Sequence, residues 1–158
     1  MTEEKIRFPV GTSDERELLL SWLGYLRGAV IRKVEGLGED EARWTPEGKL
    51  ISLLGVINHL TNVEWRWIDG GMQGRPIARA ETEFTPGNQV TVDESLDTYR
   101  DRGARTDAYV RSADLSDPCL REEGADLRWV LLHLINETAR HAGHADATRE
   151  LLDGFIGE

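Results

Sequence analysis

Cysteine is almost missing from this sequence: Cys119 stands alone among 158 residues. An intramolecular disulfide is therefore excluded, and a reducing compartment suits the chain. Cys119 lies in a polar stretch, Ser116-Asp117-Pro118-Cys119, with no histidine close in sequence, and reads as an incidental loop cysteine rather than a catalytic thiol. No apolar run approaches the roughly 18 residues that would cross a bilayer. The charged segment from Met1 to Arg7 lacks the apolar stretch of a signal peptide, so the expected location is cytoplasmic. Basic residues are in deficit, 19 Lys and Arg against 29 Asp and Glu, for a net charge of −10. Such a surface repels phosphate backbones and anionic lipid, and neither nucleic acid nor membrane is an expected partner. Alternating strand patterns, hairpin signals, internal repeats and low-complexity tracts are absent as well.

What is present is helical periodicity in a globular composition, 39% hydrophobic and 30% charged, of a length that fits one domain over residues 1–158. The first helix opens at Thr12, with Glu15 three positions later in a capping-box pattern. Leu18, Leu19, Trp22, Leu23, Leu26, Val30 and Val34 follow at spacings of three and four. Glu39 to Trp44 suits one further turn. The second helix runs from Ser52 to about Asp69, with a stripe of Leu53, Val56, Ile57, Leu60, Val63 and Trp67, and stops at Gly70-Gly71. The third begins at Thr91, with Glu94 in the capping position, and fades near Ser112. The fourth runs from Leu127 to Leu152 and closes at Asp153-Gly154. Four amphipathic helices without strands predict an all-α, antiparallel four-helix bundle. Its connections between helices two and three, Gly70 to Val90, and between three and four, Asp114 to Asp126, are long. Loops of such length are uncommon in compact domains unless they serve a purpose.

The fourth helix carries the chemically informative irregularity. Its stripe of Leu127, Val130, Leu131, Leu134 and Ile135 resumes at Ala145, Thr148 and Leu151, and between them the same face holds Glu137, His141 and His144. Glu137 and His141 are one turn apart and differ by about 40°, so both follow the leucines inward. A buried carboxylate and imidazole cost several kcal/mol, on the order of 2–7, unless compensated. A proton shared by the pair, an Arg or Lys partner, or a metal ion would serve, and a plain surface pair at i, i+4 is the bland alternative. His59 sits beside the second helix's stripe and offers a third ligand, which is how bundles assemble interior metal sites. His144 lies one turn beyond His141 and suits a supporting or proton-relaying part. His133 belongs at the interface edge, Trp65, Trp67 and Trp129 read as packing, and Glu64 reads as a surface residue or, alternatively, a general base.

The string Asn136-Glu137-Thr138-Ala139-Arg140-His141-Ala142-Gly143-His144-Ala145-Asp146 closely resembles the last helix of DinB-like proteins. Ser52-Leu53-Leu54-Gly55-Val56-Ile57-Asn58-His59-Leu60, with Val63-Glu64-Trp65, is similar to their second helix. The nearest branch looks like the mini-circle-protein group, which includes mycothiol S-transferases, and the likeness covers nearly the whole chain. The resemblance implies a DinB-type bundle and a divalent metal held by His59, Glu137 and His141. Many relatives carry histidine where this chain has Glu137, whereas thiol-dependent members such as maleylpyruvate isomerases use glutamate there. Position 144 in relatives is often Gln or His. Two imidazoles and a carboxylate suit zinc, with nickel, iron or manganese as alternatives. The implied activity is a metal-dependent transferase that activates a low-molecular-weight thiol such as mycothiol for attack on an electrophile. A metal-dependent hydrolase or isomerase, and a non-enzymatic metal-binding stress protein, are the competing readings. Arg75 and Arg79, on the long connection, are candidates to meet a carboxylate of the thiol. A homodimer is the expected assembly.

Overall fold

Each long helix begins where a short polar side chain satisfies its otherwise free N–H groups. Asp14 accepts from the amide of Glu17 and opens α1, Glu15–Arg32. Ser52 accepts from Gly55 and opens α3, Leu53–Trp65. Thr91 and Glu94 form a reciprocal capping box at the head of α4, Val92–Ser112. Asp126 accepts from Trp129 and opens α5, Leu127–Asp153, which ends on Gly154 in the left-handed region at φ 77°. A short α2, Glu39–Arg43, lies between the first two. The structure, a computed structural model, describes residues 7–157. The first cap differs from the Thr12 expected, since Thr12 instead accepts from the amide of Asp14 and the helix starts two residues later.

After Trp65 the helix does not stop at the paired glycines. It widens over Arg66–Met72 into a π-type turn, in which Gln73 N–H reaches the Ile68 carbonyl. Widened turns of this kind occur often beside functional sites, and this one carries Arg66 and Asp69, both buried and ion-paired. The described residues hold no strand beyond an isolated bridge between Pro118 and Asp126. α1 packs on α4 and α5, and α3 packs on the same two helices, so the molecule is an all-α bundle. Among the described residues, no helix is long and apolar enough to cross a membrane.

The core is split. One apolar cluster holds Leu20, Leu23, Val63, Val110, Leu131 and Leu134; the other holds Val30, Leu54, Ile57, Leu60, Tyr99 and Ala145. On three of the long helices buried polar residues stand between the two: Arg27 on α1, Arg102 and Thr106 on α4, and Thr138 and His141 on α5. On α3, buried Glu64 lies beside Val63 of the first cluster and His59 between Ile57 and Leu60 of the second. Buried polar side chains thus interrupt the apolar interior at several points. Cys119, a loop residue as its polar surroundings suggest, is nonetheless buried in the first cluster, because its connection folds back so that the thiol faces the Gly71 carbonyl at 3.5 Å.

Candidate metal centre

His59 projects from α3 beside Ile57 and Leu60 of the second cluster, and Glu137 with His141 from α5 between the two clusters. His59 Nε2 lies 3.5 Å from Glu137 Oε2, and His141 Nε2 lies 3.6 Å from the same oxygen. One ligand atom from each of the three falls within 4.8 Å of the others. These gaps exceed a hydrogen bond of about 2.9 Å. They match the spacing of two ligand atoms on one ion, since bonds of about 2.1 Å at a tetrahedral angle hold their ends about 3.4 Å apart. Both histidines are buried, and Glu137 is a quarter exposed, so the group opens to solvent on the carboxylate's side.

Neither ring nitrogen of His59 has a hydrogen-bond partner, although both are buried. Leaving a polar atom so costs about 1–3 kcal/mol. Burial depresses the pKa of His59, with Glu83 and Glu137 opposing the effect. His141 is lowered to about 4, first by burial and then by the neighbouring His59 ring. At neutral pH both imidazoles are therefore uncharged and each keeps a lone pair. Two neutral imidazoles, one of them without any hydrogen-bond partner, and a carboxylate are the donors a borderline cation such as zinc takes.

Around this trio, His144 sets its Nδ1 3.2 Å from the Nδ1 of His141. Phe84 stacks on the His59 ring, with centroids 4.3 Å apart. Glu83, buried, brings Oε2 to 3.5 Å from His59 Nδ1. Glu83 and Phe84 belong to the long connection and carry no periodicity or motif that the sequence could display. Of the two connection arginines, Arg79 joins the neighbourhood: its Nε is 2.9 Å from Glu83 Oε2, and its guanidinium lies 5.2 Å from the centre of the Phe84 ring. Arg75 instead pairs with Asp69 at 3.2 Å, in a groove between α3 and α4 that also contains Arg102 and Arg105.

Glu64 is neither a surface residue nor placed as a base. It is 1% exposed, and Arg27 holds both of its oxygens, at 2.7 and 2.9 Å. His133 lies parallel to Trp129 and edge-on to Trp67, in a separate aromatic group. Trp67 packs on the core, whereas Trp65 and Trp129 are each 41% exposed.

Against known structures, the chain resembles a conserved protein of Enterococcus faecalis solved by crystallography. The TM-score is 0.57 at 16% identity, covering 91% of this chain and 100% of that one, a likeness of fold. No curated protein matches the chain. The sequence model of the family described as Mycothiol-S-transferase matches residues 18–154. With that match reaching into all four long helices and covering most of the chain, the chain belongs to the mycothiol-S-transferase family, a DinB-like family.

Proposed function

We propose that this protein is a zinc-dependent S-transferase that joins a low-molecular-weight thiol, mycothiol in the first instance, to an electrophilic small molecule. The observation that carries the reading is the buried His59. Its Nε2 has no protein partner and faces Glu137 and His141 at ion-binding spacing. Family membership supplies the thiol.

His59, Glu137 and His141 would hold the metal and leave at least one position open. A bound divalent cation lowers the pKa of a coordinated thiol and favours the thiolate at neutral pH. The protein groups around it have separable tasks. The two imidazoles bring no charge and Glu137 brings one negative charge, so a divalent ion keeps a net positive charge for an incoming thiolate. Phe84 and the two apolar clusters restrict water on the His59 side. Glu137 marks the side on which a thiol enters. His144, beside His141 and half-buried, is suited to take the proton that the thiol gives up. Arg79, more than half exposed at the rim, is available to a carboxylate of either substrate.

The test has two stages. Elemental analysis of protein purified without chelator should return one divalent metal per chain. Protein loaded with Zn2+ should then conjugate mycothiol to members of a broad electrophile panel, and His141→Ala should abolish turnover. Absence of conjugation with every thiol tried, from metal-loaded protein, overturns the transferase reading. Hydrolysis without added thiol would replace it with the hydrolase.

A further inference from the structure

Residues 83 and 84 are seated on α3 at several points around His59. Asn58 Nδ2 donates to the Glu83 carbonyl at 2.6 Å. The Phe84 carbonyl lies so close to Gly55 that a Cβ there would come within 2.2 Å of it, so this turn of α3 must carry glycine for the chain to dock. The Phe84 ring covers one face of the imidazole. The Glu83 carboxylate, 2% exposed, accepts a hydrogen bond from buried Arg66 on Oε1, while Arg79 Nε stands 2.9 Å from Oε2 as an ion pair and leaves that oxygen without a hydrogen bond. The two guanidinium charges offset the cost of burying it, and Arg66 fixes its position. Its Oε2 faces His59 Nδ1 at 3.5 Å.

A neutral imidazole carries one proton on one of two nitrogens. On Nε2 that proton would remove the lone pair that faces Glu137 and His141. On Nδ1 it would point at Glu83. We propose that Glu83 is a positioning residue for His59: its carboxylate accepts the Nδ1–H, selects that tautomer, and so aims the Nε2 lone pair at Glu137 and His141. The inference rests on the metal-centre reading above. A shift of about 0.6 Å would bring the 3.5 Å approach to hydrogen-bond length. The carboxylate is pinned, so a tilt of the ring supplies the shift. Carboxylate partners of this kind orient metal-binding histidines, and their loss costs about 10–100-fold in metal affinity.

Three variants of the full chain, Glu83→Ala, Glu83→Gln and Arg79→Ala, test this with two readouts. Zn2+ affinity is measured by competition with a chromophoric chelator, and the His59 tautomer of metal-free protein by 15N NMR of its ring. Glu83→Ala should lose about 10–100-fold in affinity and move His59 away from the Nδ1–H form. Glu83→Gln, which keeps an acceptor oxygen, should recover most of both, and Arg79→Ala, which leaves the carboxylate in place, should change affinity less than about 3-fold on the same scale. A Glu83 that merely neutralises arginines gives the opposite pattern, with tautomer and affinity unchanged in Glu83→Gln and Glu83→Ala alike, and that result overturns the proposal. If Glu83→Ala does not fold, the same comparison is made with Glu83→Gln alone, where an Nε2–H tautomer in wild type overturns it. Wild-type protein that binds no Zn2+ defeats the metal reading instead, and the tautomer measurement still decides the part played by Glu83.

Discussion

Two groups of polar side chains interrupt the apolar interior, their α3 members Glu64 and His59 five residues or about 7.5 Å apart along the helix, and they are bonded differently. In the first, Arg27 spans α1, α3 and α4: it gives two hydrogen bonds to Glu64 and one, at 2.9 Å, to Asp107. Both oxygens of Glu64 are taken, and Gly103, lacking a side chain, leaves room on α4 for the guanidinium. In the second, His59 Nε2 and His141 Nε2 stand 3.5 and 3.6 Å from Glu137 Oε2, and no protein hydrogen bond reaches either nitrogen of His59. Both groups pay for burial, but the first is compensated by partners within the chain and the second is not. Buried charge alone therefore says little about function. Uncompensated burial, with donor atoms converging at ion-binding spacing, says more.

The largest effect expected from this contrast belongs to the bonded group. Glu64→Ala leaves a buried guanidinium with Asp107 as its remaining carboxylate partner, and should destabilise the fold by about 3–5 kcal/mol. Chemical denaturation measures the loss, and the folded fraction should still take up one Zn2+. If Glu64→Ala instead lowers Zn2+ stoichiometry in folded protein, the two groups are not independent and the division fails. A smaller effect of the opposite kind is expected at the open group. Wild-type protein should gain about 2.7 kcal/mol when Zn2+ is raised to 100 times its Kd, and His141→Ala should lose that gain while its metal-free stability stays near that of wild type. Thermal melts with and without Zn2+ check both parts. A large metal-free loss in His141→Ala would show that the second group, too, is held together by its own contacts.

Local signals in the sequence predicted more of the fold than of the site. The Thr91–Glu94 capping box, the helix start at Ser52 and the glycine stop at 154 depend on a few neighbouring residues, and each appears where the pattern places it. The break in the α5 stripe identified Glu137 and His141 because helical periodicity makes an intruding polar residue visible. Glu64 was misjudged because its partner lies 37 positions away on another helix, where no local pattern records it. The widened turn at Arg66–Met72 carried the helix past Gly70-Gly71, since glycine permits a stop without enforcing one. Glu83 and Phe84 were invisible for a related reason: a connection has no period, and their proximity to His59 follows from tertiary docking against Gly55. That glycine stood in the recognised segment all along, but its purpose required the opposite surface.

The smallest effect expected concerns protons, and it separates the two groups by pH. In metal-free protein His141 has its pKa lowered to about 4, by burial first and by the His59 ring second, whereas an unfolded chain leaves histidine near 6.5. Above about pH 6.5 both states carry a neutral ring, and this histidine contributes no pH dependence. Between about pH 6.5 and pH 4 the unfolded state binds the extra proton, so stability falls as the solution is acidified, levelling off below the folded value. Allowing for solvent that enters beside Glu137, the loss should be about 1–2 kcal/mol. Urea denaturation of chelator-treated protein at steps between pH 7 and pH 4 measures it, and His141→Ala should flatten part of the slope. Arg27 does not titrate in that range, so Glu64→Ala should leave this histidine-dependent slope in place while lowering the whole curve. An unchanged slope in His141→Ala would mean that the ring is free to accept a proton in the folded state, and hence that the open group is wetter and less strained than its geometry implies.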